Sequence, residues 1–297
     1  MSVLSTVTQS NYKSNYDRIV KALGPTFTAP EAIKYLTTKY SNPGTRNTYY
    51  SALKFYATQE DKLLYLAETK KDIPAMEAQQ TAQILPPQKE ENILKWEQIQ
   101  QAFEDATKLY NEGKISLQQL LIVGLYSLTD PVRLDYVNME FATHFASKWL
   151  PHPTTKLTAE NPAYKYLLEE SKTNYCWLGE QPRFIFNSYK TSGKYHQVML
   201  DIPEKLVKLL RLYADEDTDL RPNNPVLYKG TANGFGKALG RIFYDLTGKC
   251  CTVNLIRHSR VDYFYRMNTN PSIKAKQELA RNMLHSYTIQ EKYRTET

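Results

Sequence analysis

Five side chains between positions 133 and 293 are of kinds that handle an oxyanion: Arg133, Lys190, Arg257, His285 and Tyr293. An arginine presents a planar fork of donors that stays charged near neutral pH and can hold two oxygens of one anion. A lysine is a compact acid, a histidine titrates near neutrality, and a phenol becomes a nucleophile once its proton is drawn off. Each also has an ordinary explanation. Arg133 is followed by Asp135, which could pair with it; Lys190 sits in a Gly-containing turn where lysines are commonly solvated, and Lys194 competes for any role there. Arg257 falls beside the apolar stripe Val253, Ile256, Val261, Phe264 and Tyr265, where an arginine can simply bridge or cap, and a tyrosine near a chain end is commonly a docking aromatic. Asn254 can donate a hydrogen bond but is neither acid nor base at neutral pH.

Other chemistries find no footing. Cys176, Cys250 and Cys251 form no C-x-x-C pair and no metal-ligand spacing with the five histidines, so neither a metal nor another cofactor is expected. The odd count and the adjacent pair argue for reduced thiols in an intracellular protein. There is no G-x-x-x-x-G-K-[ST] and no G-x-G-x-x-G, so a nucleotide-driven machine is not expected. No apolar run is long enough to cross a bilayer, mean hydropathy is −0.56, and the first residues lack the basic-then-apolar order of an export signal. A soluble protein of a reducing compartment, with no membrane partner, is the expectation.

The elements that must position these side chains are mainly helical. A length of 297 residues suggests two domains. In the first, apolar stripes predict helices over Tyr12–Leu23, after Ala29-Pro30-Glu31, and after the Asn42-Pro43-Gly44 turn with Thr45 as cap. A fourth helix is predicted to include Leu63–Glu68, with Lys13, Arg46, Lys54 and Lys62 exposed. Residues 72–92 shift to Gln, Glu, Ala and Pro and read as a stiffened polar connector. The expected division is 1–85, a linker over 86–94, and 95–297. In the second part, Trp96–Tyr110 is an amphipathic helix and Leu117–Leu128 a buried one, followed by a turn that leaves Arg133 at the edge of the core. Residues 144–162 hold three prolines and read as irregular. Tyr175–Leu178, Arg183–Tyr189 and His196–Ile202 have strand character, the last two joined by a hairpin loop carrying Lys190; helices follow from Pro203 on, among them Thr252–Met267. The fold class expected is mainly α with one small antiparallel sheet.

Taken in order, these segments resemble the tyrosine recombinases, the phage-type integrases. VNLIRHSRVDYF is similar to that family's H-x-L-R-H box, LARNMLHSYTIQEKYR to its L-G-H-S…Y box, and SYKTSGKYHQVMLDIP to its β-hairpin lysine segment, while LYSLTDPVRLDY stands where the first arginine box belongs. The Asp-Tyr soon after Arg133 is similar to versions encoded by eukaryotic large DNA viruses and their virophages. The resemblance implies a helical core-binding domain followed by a catalytic domain that cleaves and rejoins DNA through a 3′-phosphotyrosyl bond, without metal or ATP. It implies that Tyr293 attacks the phosphate, Arg133 and Arg257 clamp its non-bridging oxygens, and Lys190 protonates the leaving 5′ oxygen. His285 then hydrogen-bonds the phosphate or helps deprotonate the tyrosine, and His258 is structural. The sequence departs from the pattern at Asn254 (usually His or Lys), at Leu284 (usually Gly), and at the carboxylate two rather than three residues after Arg133. The stretch from Arg257 to His285 is also longer, with an insertion expected over 268–276, and that from His285 to Tyr293 one residue shorter. Tyr287 is an alternative nucleophile, but it lies too close to His285 in sequence to reach round a phosphate.

Net charge is +7, and its distribution is uneven: residues 221–297 carry 13 Lys and Arg against 5 Asp and Glu, so the rest of the chain is nearly neutral. Basic surface gathered at one end is the footprint of a polyanion binder, and equally of a merely solvated basic face. Double-stranded DNA is the partner implied, with Arg46, Lys54 and Lys13 as candidate phosphate or groove contacts. The resemblance adds a homotetramer on two duplexes, monomeric or dimeric when free. A non-catalytic DNA-binding protein of the same fold, or a type IB topoisomerase-like activity, are the alternatives.

Overall fold

The computed structural model describes residues 6–81, 87–142, 152–216 and 227–294. Residues 82–86 of the expected connector and linker, and 143–151 of the proline-rich stretch, lie outside the described residues. The chain divides into two compact units, Met1–Ile84 and Leu85–Thr295.

The first unit contains helices α1 (Thr6–Leu23), α2 (Ala29–Lys39), α3 (Pro43–Tyr56) and α4 (Gln59–Thr81). Its helix starts are written locally. Thr28 and Glu31 form a reciprocal capping box with Pro30 in the first turn of α2. On α3 the cap is Asn42 rather than Thr45: the Asn42 side-chain oxygen accepts from the Thr45 backbone N–H at 3.0 Å, and Pro43 takes the first helical position. Ile19, Leu36, Tyr50, Leu53 and Tyr65 form its core.

Helix α4 corrects the expected connector, because residues 72–81 continue the helix through Pro74. The reason lies at long range. Asp72 is buried and takes both ends of the Arg46 guanidinium, Nε donating to Oδ2 at 3.1 Å and Nη2 to Oδ1. Nη1 of the same residue donates to the carbonyls of Tyr40 (2.8 Å) and Ser41 (2.9 Å). Arg46 is therefore not on the exposed position expected of it; it is an internal tie between α3, α4 and the α2–α3 turn. Lys54 is also half-buried, its ammonium donating to Thr69 Oγ1 at 3.4 Å, and burial holds its pKa below the usual lysine value. Lys13 is exposed and pairs with Asp17. Arg46→Ala is expected to destabilise the protein by about 2–4 kcal/mol, since it strands Asp72 and two carbonyls; denaturant unfolding measures it.

The second unit runs α5 (Pro87–Glu90), α6 (Trp96–Asn111), α7 (Leu117–Ser127), β1 (Glu140–Phe141), α8 (Pro162–Lys165), a π-helical turn (Tyr166–Glu170), β2 (Tyr175–Trp177), β3 (Arg183–Phe186), α9 (Ser192–Tyr195), β4 (Val198–Asp201), α10 (Glu204–Glu216), α11 (Ala232–Thr247), α12 (Val253–Met267), α13 (Ile273–Asn282) and α14 (Tyr287–Glu291). The fold is mainly helical with one small sheet. That sheet is mixed, not antiparallel: in the order β1-β2-β3-β4, β1 pairs parallel to β2 (Glu140 opposite Tyr175), and the other two pairings are antiparallel. A two-residue strand has no alternation to read, and its partner lies some 35 residues away. β3 and β4 are also shorter than expected, because the loop between them contains the helical turn α9 and His196 at a positive φ of 55°. The core wraps the α6–α7 pair, which buries Ile99, Leu121, Val123 and Tyr126 against Phe184, Leu210, Phe235, Phe243 and Ile256.

Candidate active site

Helix α12 delivers Arg257 into the interior of the second unit, with 0% of its surface exposed. Nη1 donates to the backbone carbonyls of Pro131 (2.7 Å) and Met283 (3.0 Å), and Nη2 to Nδ1 of His285 (2.7 Å). One guanidinium thus ties together the turn after α7, the end of α13 and the histidine that follows. Its Nε has no partner, and among the described residues no carboxylate lies within ion-pair distance. Burial pulls its pKa down, and the nearby charge of Arg133 pulls the same way. A buried cation with no anion bound to it and a second cation close by is an arrangement that an anion relieves.

Arg133 is set by its turn. Asp130 accepts from Arg260 Nε (2.6 Å) and Asn282 Nδ2 (2.9 Å), pinning the turn to α12 and α13, and the Tyr126 hydroxyl donates to the Arg133 carbonyl. The Arg133 side chain is half-buried and makes no hydrogen bond or ion pair among the described residues; its charge acts on Arg257, His285 and Asp135. Asp135 does not pair with it at ion-pair distance. Burial pushes the Asp135 carboxyl pKa up, against the pull of both arginines.

His285 owes its position to the way α13 ends. The His285 N–H bonds to the Ala280 carbonyl (3.0 Å) and the Leu284 N–H to the Arg281 carbonyl (3.0 Å), a Schellman ending that needs a left-handed residue between them. Leu284 supplies it at φ 53°, where glycine is the usual occupant. Leu284→Gly and Leu284→Ala both remove the buried isopropyl end of the side chain, but only alanine keeps the left-handed penalty. The glycine variant is therefore expected to be about 1 kcal/mol more stable than the alanine variant in equilibrium unfolding, reversing the usual order.

Because a guanidinium can only donate, Nδ1 of His285 must accept, and the proton of the neutral ring sits on Nε2. Burial, Arg257 and Arg133 together drive the His285 pKa down to about 3, so the ring is neutral at working pH. It can donate one N–H to an oxygen; with Nδ1 engaged it is no base for a phenol. Its Nε2 is buried and unpartnered.

Tyr293 follows α14, its N–H bonded to the Gln290 carbonyl (2.9 Å) and its own carbonyl accepting from Nδ1 of His258 (2.7 Å). Its ring centroid lies 4.9 Å from the Arg257 guanidinium carbon, 5.4 Å from the His285 ring and 4.9 Å from the His258 ring. His258, pushed down to a pKa of about 4 mainly by burial, fastens the tyrosine segment to α12.

Arg257, His285 and Tyr293 are therefore in contact, with Arg133 in electrostatic range. Lys190 and Asn254 are exposed, and among the described residues their side chains make no hydrogen bond or ion pair with them. The loop carrying Lys190 does reach the site: Thr191 Oγ1 donates to the Leu284 carbonyl (3.4 Å), and a cavity of about 360 Å³ between that loop and His285 is lined by Tyr189, Tyr195, Arg281, Leu284 and Tyr287. The competing Lys194 is occupied, its ammonium 5.3 Å from the centre of the Tyr195 ring. Lys13, Arg46 and Lys54 belong to the other unit. What the sequence concealed was the role of backbone: two of the three acceptors of Arg257 are carbonyls, which any residue supplies.

No family model matches the chain, and no curated protein does. Among solved structures it is similar to XerA recombinase, at 14% identity over 99% of this chain and 89% of that one, with a TM-score of 0.43. A likeness that shallow decides neither family nor activity, and the site stands on its own residues. Among the described residues no helix is long and apolar enough to cross a membrane.

Proposed function

We propose that the chain is a DNA strand transferase of the tyrosine-recombinase type. The observation that carries this reading is the buried Arg257 guanidinium, without an ion pair among the described residues, with Arg133, His285 and the Tyr293 ring gathered around it. Two cationic forks and a neutral N–H donor suit a phosphodiester whose negative charge grows as a fifth oxygen approaches. In the proposed reaction Tyr293 Oη bonds to phosphorus, its proton passing to solvent water, as the bond to the 5′ oxygen breaks. Lys190, brought in on its loop, protonates that oxygen. The energy of the broken bond is kept in the phosphotyrosyl ester, and the reverse step rejoins the strand. The partner is double-stranded DNA, held largely through its phosphates, and the sequence resemblance adds four copies working around two duplexes.

A second reading, a protein of this fold that holds DNA without cutting it, draws on one observation: the Tyr293 ring covers Arg257, so a phosphate reaches the guanidinium only if that ring moves. One experiment separates the two. The protein is incubated with a duplex taken from the DNA flanking its encoding element, nicked so that the leaving strand diffuses away, and run on a denaturing gel. A covalent band whose DNA-bearing peptide contains Tyr293 is expected. Tight binding with no adduct on any such duplex selects the second reading.

A further inference from the structure

Gln290 is the least explained side chain of the second unit. It lies in α14, one turn before Tyr293, and is 0% exposed, yet neither its amide nitrogen nor its amide oxygen meets a hydrogen-bond partner within bonding geometry among the described residues. Buried amides in native proteins are almost always satisfied, so a fully buried one left open on both atoms calls for a reason. Its backbone is fixed at both ends, its N–H bonding to the Ser286 carbonyl (3.0 Å) and its own carbonyl accepting from Tyr293 (2.9 Å). Its amide acts on two neighbours. It raises the His285 pKa and lowers that of Tyr265, so both side chains lie within its reach. Besides Nε of Arg257, Nε2 of His285 is also open and buried there, and it carries the ring's proton. Tyr265 in turn donates its hydroxyl to Glu291.

We propose that Gln290 is a positioning residue: its side-chain oxygen takes the Nε2–H of His285 and its amide N–H meets Tyr265, holding the imidazole in the Nε2–H tautomer until a phosphate oxygen takes that proton over. The last side-chain torsion of glutamine is soft, so the amide can reorient without moving the helix. The groups completing the chain are Arg257 on α12 at one end and Glu291 on α14 at the other. The charges acting on His285 are those of Arg257 and Arg133, and the Tyr293 ring stacks on it. The proposal rests on the strand-transferase reading for its purpose, though not for its geometry.

The test uses the full chain and two variants. Gln290→Met keeps the shape and removes both polar atoms; Gln290→Glu keeps the shape and places a carboxylate against His285. Imidazole nitrogen NMR of wild type is expected to show a neutral ring with a slowly exchanging, hydrogen-bonded Nε2–H. That proton is expected to exchange freely in Gln290→Met, with adduct formation on the nicked duplex about tenfold slower, the worth of one hydrogen bond, and DNA affinity unchanged. Gln290→Glu is expected to raise the His285 titration by two units or more and to give adduct formation an acid limb that wild type lacks. A merely structural amide would lower the melting temperature of both variants and leave the His285 spectrum as it is, and that result overturns the proposal. So does a wild-type Nε2–H that exchanges freely, which needs no variant to fold. If wild type forms no adduct at all, the strand-transferase reading fails while the nitrogen spectra still decide the role of Gln290.

Discussion

Tyr293→Phe is expected to abolish the covalent protein–DNA band completely while leaving DNA affinity and folding stability close to wild type. The substitution removes one oxygen, which acts on Arg257, and keeps the ring and backbone contacts that hold the residue: the tilted contact with the His285 ring, the edge against His258, the face toward Arg257 and the carbonyl bond to His258. Without the phenol oxygen no bond to phosphorus can form, so the expected effect is loss rather than reduction. Tyr287→Phe is the control. Tyr287 is exposed at the start of α14, and its loss should leave the band intact. A Tyr293→Phe protein that still forms the adduct, or a Tyr287→Phe protein that does not, moves the nucleophile and removes the reading offered for Tyr293.

The second large effect is expected at the arginines, and the two should differ in kind. Arg257→Lys keeps the charge but loses the fork; an ammonium cannot serve Pro131, Met283 and His285 from the same three positions. Cleavage of the nicked duplex is expected to fall about 10²–10³-fold, the usual consequence of removing a donor that meets developing negative charge. DNA affinity, spread over many phosphates, should change little. Stability should fall as well, because two buried carbonyls and Nδ1 of His285 are left competing for fewer donors. Arg133→Ala should cost a similar factor in cleavage with almost no loss of stability, since its side chain makes no hydrogen bond or ion pair among the described residues. Rate and unfolding measured on both variants decide the matter; undiminished cleavage in either one takes that residue out of the site.

How far these features were legible in the sequence depended on the range of the interaction. The amphipathic helix beginning at Trp96 and the helix start at Ala29-Pro30-Glu31 are written within a few residues. The resemblance of their surrounding segments to the tyrosine-recombinase boxes marked out three side chains that do meet, Arg257, His285 and Tyr293. Burial of Arg46 was not legible, because its partner Asp72 sits 26 residues on, in a stretch whose composition reads as a connector. The parallel β1–β2 pair was hidden by its two-residue length. Gln290 was passed over because a glutamine on a short C-terminal helix looks solvated until the helix is seen to bury it. The Leu284 departure was visible as a missing glycine; that it is a backbone strain took a φ angle to establish.

Arg257 stitches Pro131, Met283 and His285 into one piece, and that has an evolutionary corollary. Chemistry and architecture share a side chain there, so natural selection cannot discard the first without paying in the second. A descendant relieved of the need to cut DNA should erode at dispensable positions first, at the phenol of Tyr293 or the solitary Arg133, and keep its central guanidinium long after. Among sister sequences, retention of Arg257 alone would thus say little about catalysis, whereas retention of all three would say a good deal.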